Sequence, residues 1–260
     1  MKKLLIAIVL LLVIAAVAFG VRTLGARDET DAVDTKEAAE LVGDEGGSAD
    51  VEAGDRPEAG TYTYAGRGTE SVSALGGSSH EFPDEINVVV QLDEDDDCAW
   101  TANVVYVEQH IEERRYCTEN GTMVDRGFTR KIEFFNQLQE TTFTCGDDAQ
   151  RLRTDAKEGD TWTWTCENGT ASTSEYTARS LGTETLTVGG EQVETYRTRV
   201  TSKQTGETVG SDTSEFWLDE TGLIVKFTAK LKVDTESVLG KTTFQEDIAY
   251  ALTSLVPEEA

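Results

Sequence analysis

The chain has 260 residues, with 49 acidic against 23 basic side chains and a formal net charge of −26 at neutral pH. So negative a field repels nucleic acid and anionic membrane surfaces, which excludes nucleic-acid binding and peripheral docking on anionic lipid as expected functions. It suits solubility, cations or a basic partner, and an acidic proteome would produce it with no function attached.

At the start of the chain, Lys2 and Lys3 precede an unbroken apolar run from Leu4 to Val21. A membrane-crossing helix needs about 17 to 25 residues, so residues 1–27 are expected to form one N-terminal transmembrane anchor. The leading lysines orient it with the chain following it outside the cytoplasm. A secretory signal segment, cleaved after Ala16-Val17-Ala18, is the alternative, and the protein would then be secreted. No cysteine follows the apolar run, so a bacterial lipoprotein anchor is not expected.

Residues 28–59 hold no aromatic side chain, and their acids, from Asp28 to Glu58, face only Lys36 and Arg56. That composition predicts an acidic, disordered linker, with at most a short frayed helix over residues 35–42.

From Gly60 onward the apolar period is two, the period of half-buried strands. Ile86, Val88, Val90 and Leu92 share one face, as do Trp100, Ala102, Val104 and Tyr106, with Thr101 and Asn103 opposite on an expected wet side. Phe128, Arg130, Ile132 and Phe134 alternate with Thr129, Lys131 and Glu133, and Trp162, Trp164 and Cys166 alternate with threonines. Gly189-Gly190, Thr205-Gly206 and Asp219-Glu220-Thr221-Gly222 read as hairpin turns between the later strands. Residues 60–260 therefore predict one extracytoplasmic, mainly β domain, a curved antiparallel meander of about ten to twelve strands.

All four cysteines lie in this domain. In an exported chain they predict two disulfides, and neighbouring apolar faces favour Cys98 with Cys117 and Cys145 with Cys166. Each would close a loop of roughly 20 residues, worth on the order of 3 kcal/mol. No C-x-x-C or H-x-x-x-H spacing supports a metal, and no cofactor motif is present, so neither is expected.

Two charged clusters are candidate sites. Asp93-Glu94-Asp95-Asp96-Asp97 lacks the glycine and distal glutamate of a calcium loop and reads as a solvated hairpin tip. Glu108, His110, Glu112 and Glu113 place a histidine beside carboxylates, as acid–base chemistry requires, but read as an exposed strand face. Gly76-Gly77-Ser78-Ser79-His80 has the composition of a loop, and Asn120 and Asn168, each followed by Gly-Thr, read as turns. No catalytic residue is expected.

Gly60-Thr61-Tyr62-Thr63-Tyr64, the Gly76–Pro83 segment, and Cys98 with Trp100 resemble a group of uncharacterised actinobacterial membrane-anchored envelope proteins. The stretch Phe216-Trp217-Leu218-Asp219-Glu220-Thr221-Gly222-Leu223-Ile224-Val225-Lys226 is similar to the late hairpin of the lipoprotein-carrier superfamily, which includes mycobacterial lipid and lipoglycan carriers. That resemblance implies a half-open barrel whose concave face holds acyl chains. The functional expectation is a non-enzymatic, membrane-tethered binding domain for a lipid or lipidated ligand. A structural or protein-interaction module of the cell surface, binding an envelope protein, and an envelope hydrolase are the rivals. A lipid binder requires an open apolar cavity, an interaction module a filled interior, and an enzyme converging titratable groups.

Overall fold

The computed structural model describes residues 27–29, 31–43, 53–169, 171–237 and 240–258. The Leu4–Val21 run lies outside them, and among the described residues no helix is long and apolar enough to cross a membrane.

The strands are β1 (Arg27–Glu29), β2 (Gly60–Val72), β3 (Ser78–Phe82), β4 (Glu85–Leu92), β5 (Ala99–Val107), β6 (His110–Glu119), β7 (Thr122–Phe134) and β8 (Gln137–Cys145). They continue as β9 (Gln150–Arg153), β10 (Thr161–Asn168), β11 (Ser172–Val188), β12 (Glu191–Gly206), β13 (Thr208–Leu218), β14 (Ile224–Ser237) and β15 (Gly240–Leu252). Apart from β9, which pairs with β7, each strand from β4 to β15 lies beside its neighbours in sequence, and β15 returns to β2.

The expected antiparallel meander is thus what forms, and it closes on itself. One edge of β2 holds β15, while the other pairs with β4 over Gly60–Ala65 and with β3 over Gly68–Val72. Twelve strands, all but β1, β3 and β9, form a ring rather than the half-open barrel that the carrier resemblance implies. The length of β2 makes this possible, since one strand serves two partners in succession along the same edge.

Turn chemistry sets the register. Asn120 and Gly121, at φ 52° and 71°, fill the left-handed positions of the β6–β7 hairpin. Asp219 Oδ1 accepts from the backbone N–H groups of Thr221 and Leu223, fixing the turn into β14. In β7 a bulge opposite Arg115 and Tyr116 inserts an extra residue, so that both Asp125 and Phe128 face inward. A Cβ on Gly127 would sit 2.1 Å from the Phe143 carbonyl oxygen, and only glycine fits there.

The ring is thinnest between β8 and β10, which share only the pairs Cys145↔Cys166 and Glu167↔Thr144. The Cys145–Cys166 disulfide spans this seam, and Cys98–Cys117 joins the ends of β5 and β6.

Part of the segment expected as a linker is ordered. Helix α1 (Thr35–Val42) is capped by Asp34, whose carboxylate accepts from the Glu37 N–H at 2.8 Å. It packs on the outside of the barrel, where Val33 and Ala38 are buried with Val89 and Val105. Asn87 Nδ2 donates to the Val33 carbonyl at 2.7 Å. Residues 33 and 38 suffice because the outer face of β4 and β5 supplies the other half of the contact. This also corrects the expected wet side, since Asn103 and Val105 are buried. Arg56, likewise in that segment, is buried and donates to the carbonyls of Asp93, Asp96 and Ala99, holding the β4–β5 hairpin from below.

Replacing both Cys145 and Cys166 with serine is expected to cost about 3 kcal/mol of stability. Amide hydrogen exchange should accelerate first along β8 and β10. Equal acceleration around the whole ring would show that the seam is not the weak point.

Candidate functional site

The inner wall does not carry apolar side chains alone. On β6 the inward positions are His110, Glu112, Arg114 and Tyr116, and on β7 Asp125, Phe128, Arg130, Ile132 and Phe134. Strand parity fixes this, because every second residue must face the interior. The side chains sort into paired networks. Glu112 lies between Arg114 and Arg130, its Oε2 accepting from Arg130 Nε at 2.6 Å. The two guanidinium groups lie 5.5 and 5.9 Å from the Phe128 ring centroid. Arg151, carried inward by β9, pairs with Asp125 and lies 4.9 Å from the centre of the Phe216 ring. Glu70 is approached by His80 Nδ1 at 2.6 Å and His110 Nδ1 at 2.7 Å.

Burial pushes the Glu70 and Glu112 carboxyls up, but the groups around them more than offset it. His110 and then His80 hold Glu70 at about 2, and Arg114 and Arg130 hold Glu112 at about 2. Asp212 and Glu246 have no such pairing. Burial raises Asp212 to about 6 against a single hydrogen bond from Ser214, and burial raises Glu246 against the nearby charge of Arg130.

Above this charged layer the barrel is hollow. A cavity of about 490 Å³ is walled by Phe128, Phe134, Phe143, Phe216, Phe227 and Phe244, with Val233 beside Phe244 and Leu231 between Asp212 and Glu246 in register. Arg114, Arg130, Arg151, Asp212 and Glu246 reach its floor. At the β7–β8 turn Phe135 lines the cavity in the left-handed region, at φ 55°, followed by Asn136 at φ 56°. A bulky side chain there costs roughly 1–2 kcal/mol, so this rim is strained. The opposite end is packed solid by Tyr62, Tyr64, Leu92, Trp100, Met123, Leu152 and Leu218.

Half of the acid–base cluster read as an exposed face turns inward. His110 and Glu112 are fully buried, whereas Glu108 lies exposed in the β5–β6 turn and Glu113 faces outward to pair with Arg115. His80, read as part of a loop, is buried on β3 and stacks on Phe134 at 4.5 Å. The Asp93–Asp97 run does lie at the hairpin tip, with Asp96 bound to Arg126 at 2.8 Å. Sequence reasoning missed Glu70, Asp125, Arg151, Asp212 and Glu246. For Glu246 a signal existed, because it has the same strand parity as Phe244, Ile248 and Tyr250.

No protein-family model matches this chain, and no curated protein matches it. Among solved structures it is similar to the hypothetical lipoprotein YmcC from Escherichia coli, with 17% identity over 76% of this chain and 88% of that one and a TM-score of 0.29. A chain from Parabacteroides distasonis, also described as a lipoprotein, gives 9% identity over 77% and 97% and a TM-score of 0.32. Likenesses this distant carry no argument about function.

The perturbed carboxyls make stability depend on pH in two opposed ways. Glu70 and Glu112, held low, contribute stability that is present above their ordinary 4.5 and is lost as pH falls toward 2. Asp212, held high, works the other way, and stability falls as pH rises from its ordinary 3.8 through about 6. Asp212→Asn is therefore expected to stabilise the chain by about 1–3 kcal/mol at neutral pH and to change little near pH 4. Urea unfolding at the two pH values checks this, and an equal effect at both would contradict it.

Proposed function

We propose that the chain is a non-enzymatic, extracytoplasmic binding domain, tethered to the cell membrane by its N-terminal apolar segment, that takes a single-chain amphiphile with an anionic head. The aromatic cavity, open to solvent, carries this reading. Its volume of about 490 Å³ falls within the roughly 300–1,000 Å³ of small-molecule sites. So much exposed apolar wall is stabilised by an occupant that removes it from water.

The floor selects the head. Arg114 and Arg130 share the single carboxylate of Glu112, and Arg151 is matched by Asp125, so the two former guanidinium groups carry one positive charge beyond Glu112, faced only by Asp212 and Glu246, which burial holds toward the neutral acid. Their side chains are 14% and 20% exposed, the part that a head group would contact. A carboxylate or phosphate there gains charge-assisted hydrogen bonds in a site shielded from bulk water. The negative outer surface does not prevent entry, because salt screens it within about 8 Å.

The test purifies the full chain after export and identifies extractable lipid by mass spectrometry, beside Leu231→Trp, whose larger side chain occupies cavity space. One amphiphile class near one equivalent in the native chain, lost in Leu231→Trp, is expected. Equal lipid in both samples would mean that it sits on the anchor and not in the barrel. Arg130→Met should retain apolar binding and reduce the preference for anionic over zwitterionic heads about tenfold, on the order of 1.4 kcal/mol.

A further inference from the structure

Three side chains meet at one point on the inner wall from strands that are distant in sequence. Glu70 comes from β2, His110 from β6 and Glu246 from β15, and one ligand-capable atom of each lies within 4.8 Å of the others. All three are buried, Glu70 and His110 completely and Glu246 to within 6%. Oε2 of Glu70, both ring nitrogens of His110 and Oε2 of Glu246 have no hydrogen-bond partner among the described residues, although Glu70 Oε2 and His110 Nδ1 approach to 2.7 Å. Buried polar atoms are nearly always satisfied, and an imidazole and two carboxylates left open together are what a cation would occupy.

We propose that Glu70, His110 and Glu246 bind one divalent transition-metal ion of the zinc class. The donor set decides the class. An imidazole nitrogen with two carboxylates suits zinc and its neighbours, whereas calcium and magnesium call for a larger shell of oxygens. The charge also matches, since the carboxylates of Glu70 and Glu246 together balance a divalent ion. Arg130, the cation that bears on Glu246, is already bound to Glu112.

The surroundings are those of a supported site. His80 holds Glu70 Oε1 at 2.6 Å and is itself fixed by its stack on Phe134. Outer partners of this kind orient first-contact ligands. A carboxylate oxygen keeps a second lone pair, so the His80 contact does not exclude an ion. Three protein ligands leave a position open, and Glu246 lines the cavity, so that position is reached from the cavity side. The proposal does not depend on what fills the cavity.

The full chain is stripped with a chelator and titrated with Zn²⁺ alone by calorimetry, beside Glu246→Gln and His110→Gln. One Zn²⁺ per chain at a saturable site is expected, weakened at least tenfold in each variant whose circular dichroism is native. Only weak, non-saturating uptake on the acidic surface, or an unweakened site in folded Glu246→Gln, would overturn the proposal. Co²⁺ added to the unmodified chain decides the matter even where a variant does not fold. A strong visible absorption band, as from a low-coordinate nitrogen–oxygen site, supports it, and the pale spectrum of hydrated Co²⁺ overturns it.

Discussion

Closing twelve strands into one ring is the constraint from which the remaining features follow. Barrel diameter grows with strand number, and side chains fill the interior at about eight strands but not at larger counts. This chain fills one end with Tyr62, Tyr64 and Trp100 and with β9, which pairs with β7 off the ring and buries Leu152. The other end stays hollow. The β2–β4 pairing that closes the ring thereby creates the cavity, and the brief contact between β8 and β10 is where the closure is least secured by the backbone.

A wide interior also explains why the barrel contains charge. An unpaired ion in an apolar medium costs far more than any single packing contact returns, so buried ions come with partners. Glu112 with two arginines, Asp125 with Arg151 and Glu70 with two histidines obey this rule. These networks separate the packed end from the hollow end and hold the arginine heads against the Phe128 and Phe216 rings. Asp212 and Glu246 depart from the rule, and both face the cavity. Groups left uncompensated at such a floor are where an incoming molecule or ion gains most. The strained Phe135 at the rim is consistent with a mouth shaped for contact and not for stability.

The alternation of Trp100, Ala102, Val104 and Tyr106 made the strands legible, and Gly189-Gly190 and Asp219–Gly222 made the turns so. Those signals are local, set by parity and by backbone angles that glycine and aspartate favour. Closure was not legible, because it depends on β2 pairing with both β4 and β15 across long separations. The same gap hid the site. Glu70 carries no signal in its own strand, His110 and Glu246 carry only that of strand parity, and only the ring brings the three together. His110 and Glu112 were read as an exposed face because charge alone suggests solvent, whereas their parity with Tyr116 pointed inward. For α1, the sparse apolar content of residues 28–59 predicted disorder, yet Val33 and Ala38 find a ready-made apolar face on β4 and β5.

The central claim is that the hollow end admits an apolar chain from water and holds its charged end on the arginine floor. Equilibrium titration of the full chain with a fluorescent long-chain carboxylic acid tests it most directly, with the matching alcohol as the uncharged control. The account predicts saturation at one probe per chain, emission shifted as in an apolar solvent, and markedly weaker binding of the alcohol. Non-saturating uptake, or equal affinity for acid and alcohol, would contradict it.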